Sequence, residues 1–135
     1  MKTLLVTLLV VVFLTVLDEF ESRISDLESA RTEALFLPII VTVTAYSPEV
    51  NQTDDSPYLT AFLTPVDTAT IAVSRDLFEN GWVAGKKVYI KGLGTYTIND
   101  LMHARKQKQL DVFHWSLTKA KEFGRRKYKA VLLNI

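Results

Sequence analysis

The chain has 135 residues and no cysteine, which leaves room for one domain with a short appendage and excludes disulfides and thiolate metal sites. Its formal net charge of +1 conceals a split: residues 18–35 carry six acidic and two basic side chains, whereas residues 36–135 carry thirteen basic and nine acidic. A basic body favours an anionic partner (nucleic acid, a membrane surface or an acidic polysaccharide), beside the plainer reading of a solvated charged face.

The first segment, "MKTLLVTLLVVVFLTVL", has one Lys and then no charge from Thr3 to Leu17. Three scattered threonines do not make a polar face, so residues 1–17 read as a secretory signal or membrane anchor. Asp18, Glu19 and Glu21 follow directly, where a signal peptidase would need small residues. An uncleaved anchor is therefore expected. Lys2 inside and acidic residues outside direct the body away from the cytoplasm, towards the periplasm of a bacterial envelope. Residues 18–36 read as a helical stalk or linker, with Leu17, Phe20, Ile24, Leu27 and Leu35 at helical spacing. A short coiled coil through residues 17–35 would give weak self-association, although fewer than three heptads are present.

From residue 37 to 135 the period changes. "PIIVTVTAYS", "YLTAFLTP", "ATIAVS", "KKVYIKGLG", "TYTIND", "QLDVFHW" and "KAVLLNI" are short and rich in β-branched and aromatic residues. "PEVNQTDDSP" reads as a turn-rich loop. Two short helices interrupt the strands: "SRDLFEN", with Ser74 as N-cap, and "SLTKAKEFG", running from Ser116 to Gly124. Six or seven short strands at this length predict a small closed barrel, which removes exposed sheet edges.

The most specific stretch is "YTINDLMHARKQKQLDVFHW", with Asp100 and Asp111 eleven positions apart at the ends of two strands. An aspartate at such a junction is often a turn cap, so both readings stand for Asp100. Asp111 lies between Leu110 and Val112-Phe113, an apolar setting suited to a raised carboxyl pKa.

From Ile40 to Leu133 the order of these segments resembles the 3D domain, named for three aspartates, of membrane-bound lytic transglycosylase A and stationary-phase survival muralytic proteins. The pair Asp100 and Asp111 and the later Phe123-Gly124 carry the resemblance. It implies a mainly β fold, a six-stranded double-psi β-barrel with one or two short helices, here preceded by a membrane helix and a helical stalk. It also implies cleavage of the β-1,4 bond between N-acetylmuramic acid and N-acetylglucosamine of peptidoglycan, leaving a 1,6-anhydro end. Asp111 matches the family's acid/base and Asp100 an earlier aspartate of the set. The first aspartate of the family follows an Ala-Val pair; here Ala72-Val73 is followed by Ser74, and the nearest carboxylate is Asp76. Phe62-Leu63 stand where family members commonly have a glycine, and "DLMHAR" replaces a glycine-rich run.

A hydrolase would use two carboxylates, whereas a lytic transglycosylase needs one, because the sugar's own 6-hydroxyl traps the reacting carbon. The expected catalytic residues are thus Asp111 and Asp100. The substrate-binding candidates are Tyr46, to stack on a sugar; Thr60, to donate to Asp111; Asp76, against its plainer reading as a capping charge; and Arg105, which with Lys106 and Lys108 would meet peptide-stem carboxylates. Trp82 and Trp115 line a cleft or plug the barrel ends. His103 and His114 lack metal-site spacing, and neither metal nor cofactor is expected. The expected partners are peptidoglycan glycan strands and the inner membrane. The competing class is a non-catalytic polysaccharide-binding module. A nucleic-acid role, resting on "KAKEFGRRKYK", is set against by the anchor, and no nucleic-acid partner is expected.

Overall fold

The computed structural model describes residues 1–48 and 58–135. Most of the loop "PEVNQTDDSP" lies outside the described residues. Two compact units are present, residues 1–34 and 35–135.

In the first unit the apolar segment and the stalk form one continuous helix, α1 (Lys2–Leu35). At about 1.5 Å per residue it is ~50 Å long. Among the described residues it is the one helix long and apolar enough to cross a membrane. Its acidic second half holds one ion pair, Arg23 to Glu19 at 2.9 Å, both exposed.

The second unit contains β1 (Ile39–Tyr46), β2 (Thr70–Val73), α2 (Arg75–Glu79), β3 (Lys87–Ile90), β4 (Gly94–Leu101), β5 (Gln109–Phe113), α3 (Leu117–Phe123) and β6 (Arg126–Leu133). The six strands close into a barrel in the order β1-β5-β2-β4-β3-β6. Two pairs, β1–β5 and β2–β4, are parallel, and the other neighbours are antiparallel. This is the double-psi arrangement, and closure leaves no edge strand.

Alternation places Val41, Val43, Ile71, Val73, Val88, Ile90, Ile98, Leu110, Val112, Ala130 and Leu132 inside, where they form the core. Truncating a fully buried member such as Leu110 to Ala would cost about 2–5 kcal/mol. Leu35 and Phe36 pack on this core, so the compact unit begins slightly before residue 37. Gly81, at φ 99°, passes so close to Leu35 that a Cβ there would lie 2.9 Å from the leucine side chain. Only glycine fits that contact without strain.

The segment expected as a strand at "YLTAFLTP" forms a tight hairpin instead. Leu59 and Pro65 make a single bridge, and Thr60 and Leu63 close the turn through backbone bonds. Ser116 caps α3 by accepting from the Lys119 amide, and Gly124 ends it at φ 67°. Ser74 occupies the N-cap position of α2, but its hydroxyl accepts from the Gln109 amide at 3.1 Å rather than from the helix.

Candidate functional site

The site lies on the outer face of the barrel wall, over β1, β5, β2 and β4. Thr44, Asp111, Ala72 and Asp100 fall in one row across these strands: Thr44 pairs with Asp111, Asp111 with Ala72, and Ala72 with Asp100. The position of Asp100 depends on an irregularity. Ile71 pairs with Ile98, yet Ala72 pairs with Asp100, so Asn99 is an extra residue on β4. Such a bulge re-aims the side chains that follow it. It turns Ile98 into the core and Asp100 onto the outer face. At a strand spacing of about 4.8 Å, the two aspartate backbones are ~10 Å apart.

A second, smaller apolar cluster covers this outer face: Tyr46, Val66, Ala72, Met102 and Phe113. Beside it opens a cleft of about 190 Å³, lined by Tyr46, Ala72, Leu101, Met102, His103, Lys106 and Asp111. The small methyl of Ala72 is what leaves room between the two aspartates.

Asp111 is the carboxyl that lines this cleft. Its Oδ1 accepts from the Thr44 hydroxyl at 2.8 Å. Burial pushes its carboxyl up to about 6; the Thr44 bond and the Lys106 ammonium pull it back in part, and the Asp100 charge adds to the rise. A group at that value is protonated often enough near neutrality to donate, and basic enough afterwards to accept.

Asp100 is engaged differently. Its Oδ1 accepts from the Ala61 and Leu101 amides at 2.7 and 2.9 Å, and its Oδ2 accepts from the Tyr46 hydroxyl at 2.9 Å. Three donors thus converge on this carboxylate, which ties the hairpin at 58–66 to β4 and fixes the Tyr46 ring. Asn99 adds to the tie by accepting from Thr64 at 2.9 Å. Burial, then the charge and hydrogen bond of Asp100, then the charge of Asp111, push the Tyr46 phenol far above its ordinary value. It remains a neutral donor at every ordinary pH.

The remaining candidates separate. Tyr46 lines the cleft. Thr60 does not donate to Asp111: its hydroxyl pairs with that of Thr64 at 2.8 Å and accepts from the Phe62 and Thr64 amides inside the hairpin. Thr44, two residues before Tyr46 on the same strand face, fills that role; alternation in "VTVTAYS" puts it on the face of Tyr46, but only the pairing of β1 with β5 brings it to Asp111. Asp76 does not line the cleft; its Oδ2 accepts from the Lys108 amide at 2.9 Å. Burial would raise its carboxyl, but bonds from the Ser74 hydroxyl and the amides of Lys108, Leu77 and its own residue outweigh this and hold it below the usual carboxylate value. Its place is at the start of β5, where Lys108 has φ 47°. Arg105 is exposed and outside the cleft lining, whereas Lys106 and His103 of the same loop lie in it. Trp82 is buried, whereas Trp115 is exposed. Among the described residues, no three His, Cys, Asp or Glu side chains gather as a metal ion would require.

No family profile and no curated protein matches the sequence. Solved structures do. A Streptomyces papain inhibitor aligns with a TM-score of 0.51 at 12% identity, over 73% of this chain and 96% of that one. The apo expansin of Clavibacter michiganensis aligns with a TM-score of 0.48 at 18% identity, over 73% of this chain and 51% of that one. A variant of that expansin in complex with cellohexaose gives the same figures. The chain thus spans about half the length of the expansin. At such identities the likeness to the inhibitor concerns the fold alone, a closed double-psi barrel.

Proposed function

We propose that the barrel engages polysaccharide of the bacterial cell envelope, and that Asp111 is the single acid/base of a lytic transglycosylase acting on peptidoglycan. The observation that carries this reading is the position of Asp111: it lines the cleft with its carboxyl raised to about 6, while the oxygens of Asp100 are already bonded to the protein. One free carboxyl fits the one-carboxylate route better than the two-carboxylate hydrolysis. The resemblance of Asp100, Asp111 and Phe123-Gly124 to the 3D domain supports the same substrate, and the long apolar helix supports a membrane-anchored, periplasm-facing location.

In this mechanism the protonated Asp111 gives its proton to the glycosidic oxygen as the bond from that oxygen to the muramic acid C1 breaks. The C6 hydroxyl of the same muramic acid then attacks C1, and its proton returns to the Asp111 carboxylate. The products are a 1,6-anhydro end and a new free hydroxyl, and no water is consumed. Thr44 would hold Asp111 in place, and Tyr46, whose proton is held by Asp100, would offer the sugar its ring face and a hydroxyl oxygen that can only accept. Lys106 would favour the carboxylate once the proton has left.

A second reading, a polysaccharide-binding module without catalysis, is favoured by the same bonding of Asp100, which leaves no second carboxylate free. The test incubates the full chain in detergent micelles with isolated peptidoglycan, beside Asp111→Asn, and analyses soluble products by mass spectrometry. Anhydromuropeptides from the parent alone support the transglycosylase. Reducing-end products contradict it, and co-sedimentation of both proteins without release supports the binding module.

A further inference from the structure

Beyond the cleft, the face of β5 that carries Asp111 continues through Phe113 to Trp115. These three alternate along the chain, so they share one side of the strand and its extension. Phe113 is fully buried and packs its ring edge-on against Tyr46, with centroids 5.3 Å apart at 71°. Trp115 packs edge-on against the other end of Phe113, at 4.8 Å and 86°. The aromatic series therefore begins inside the cleft at Tyr46 and ends on the surface at Trp115.

The two tryptophans differ sharply in environment. Trp82 is 3% exposed and belongs to the core, whereas Trp115 is 56% exposed. The indole thus stands perpendicular to a buried ring and keeps more than half of its surface open beside it. A single exposed aromatic is ordinary on a protein surface; what sets Trp115 apart is its ring contact with Phe113, which in turn packs on Tyr46 of the cleft. The apolar C–H face of a pyranose is complementary to such a surface. Trp115 is four positions beyond Asp111, just past the end of β5, so the two are at most ~13 Å apart along the chain at about 3.3 Å per residue. At that extension one sugar cannot reach both.

Building on the glycan-cleft reading, we infer that Trp115 is a distal stacking platform that selects for glycan chain length. Saccharides that fill only the Asp111 cleft bind without it, and longer chains gain its contact. An aromatic contact of this kind is worth about 0.5–1.5 kcal/mol, or roughly a threefold to tenfold gain in affinity.

The experiment measures binding of peptidoglycan-derived di-, tetra- and hexasaccharides to the full chain in micelles, in an Asp111→Asn background that prevents turnover. Titration is followed by calorimetry and by acrylamide quenching of tryptophan fluorescence. The expected result is an affinity that rises from di- to hexasaccharide by the factor above, with tryptophan shielded from the quencher only by the longer ligands. In Trp115→Ala the ratio of hexa- to disaccharide affinity falls to about one, and Trp115→Phe restores most of it. An unchanged ratio in Trp115→Ala, or no length dependence in the parent, overturns the inference while leaving the Asp111 cleft standing. Absence of binding to every saccharide overturns both readings together.

Discussion

Asp111 and Asp100 flank Ala72 from opposite sides: the first pairs with it from the antiparallel neighbour β5, the second from the parallel neighbour β4. Two carboxylates are thereby placed on one face, but they do not do the same thing. Asp111 meets one hydroxyl and a cleft, and Asp100 meets three donors and a hairpin. The division of roles follows from the surroundings: one buried carboxyl open to the cleft, and one carboxyl held by three donors.

Burial of Asp111 makes its charge a liability to the fold. Its carboxyl rises from the ordinary 3.8 to about 6. A raised carboxyl pKa means that the native state holds the proton more tightly, so the contribution of Asp111 to stability is most favourable below pH 4 and declines between pH 4 and 6. Above that it levels off, with a penalty of about 3 kcal/mol. Asp111→Asn should therefore stabilise the barrel by ~2–3 kcal/mol at pH 7 and by little at pH 4. Urea unfolding of both proteins in micelles, followed by the emission of the buried Trp82, checks the sign and the window.

For Asp100, replacement by asparagine should be mild. An amide oxygen can still accept from Ala61 and Leu101, and its nitrogen can donate to the Tyr46 oxygen. Asp100→Asn should cost under about 1 kcal/mol and reduce any peptidoglycan cleavage only a few-fold. Asp100→Ala leaves three donors unmet and should cost ~2–4 kcal/mol. Parallel unfolding and product assays decide the matter: complete loss of cleavage in a well-folded Asp100→Asn would mark it as a second catalytic carboxylate.

Asp76 anchors the chain just before β5, so its loss should be felt at Asp111. Asp76→Ala should cost about 1–2 kcal/mol at pH 7, from the lost bond to the Lys108 amide. Because its folded carboxyl lies below the usual value, that contribution is complete above pH 4 and fades as the pH falls through the lowered value. Stability curves of parent and variant should converge in strong acid.

Leu63 sits at φ 58°, a left-handed conformation that a branched side chain adopts at a cost, and its side chain is 78% exposed. A left-handed non-glycine residue costs roughly 1–2 kcal/mol, against about 0.5–1 kcal/mol for the extra freedom of glycine when unfolded. Leu63→Gly should stabilise the protein by ~0.5–1 kcal/mol, readable as a small rise in the thermal midpoint.

The strands were legible because alternation of Val and Ile with Thr and Lys carries their register, and the caps at Ser116 and Gly124 follow from local chemistry. The raised carboxyl of Asp111 was legible because its neighbours in the chain are apolar. What could not be read was anything set by distant pairing. Thr44 reaches Asp111 across 67 positions, and Tyr46 reaches Asp100 across 54. The extra residue Asn99 left no mark in the pattern of "TYTIND", although it decides which way Asp100 points. Ser74 was correctly placed at the start of α2, but its hydroxyl is spent on β5. In the loop after β4, the charge pattern could not tell Lys106 from Arg105, because backbone conformation decides which of them turns towards the cleft.

The central claim is that Asp111 is an acid able to hold its proton near neutrality. Carbon-detected NMR of the aspartate side-chain carboxyls across pH 3–8, with Asp111→Asn supplying the assignment, tests it directly. A midpoint near 6 is expected for Asp111. A midpoint at or below 4 would contradict it, and would leave the cleft without an acid.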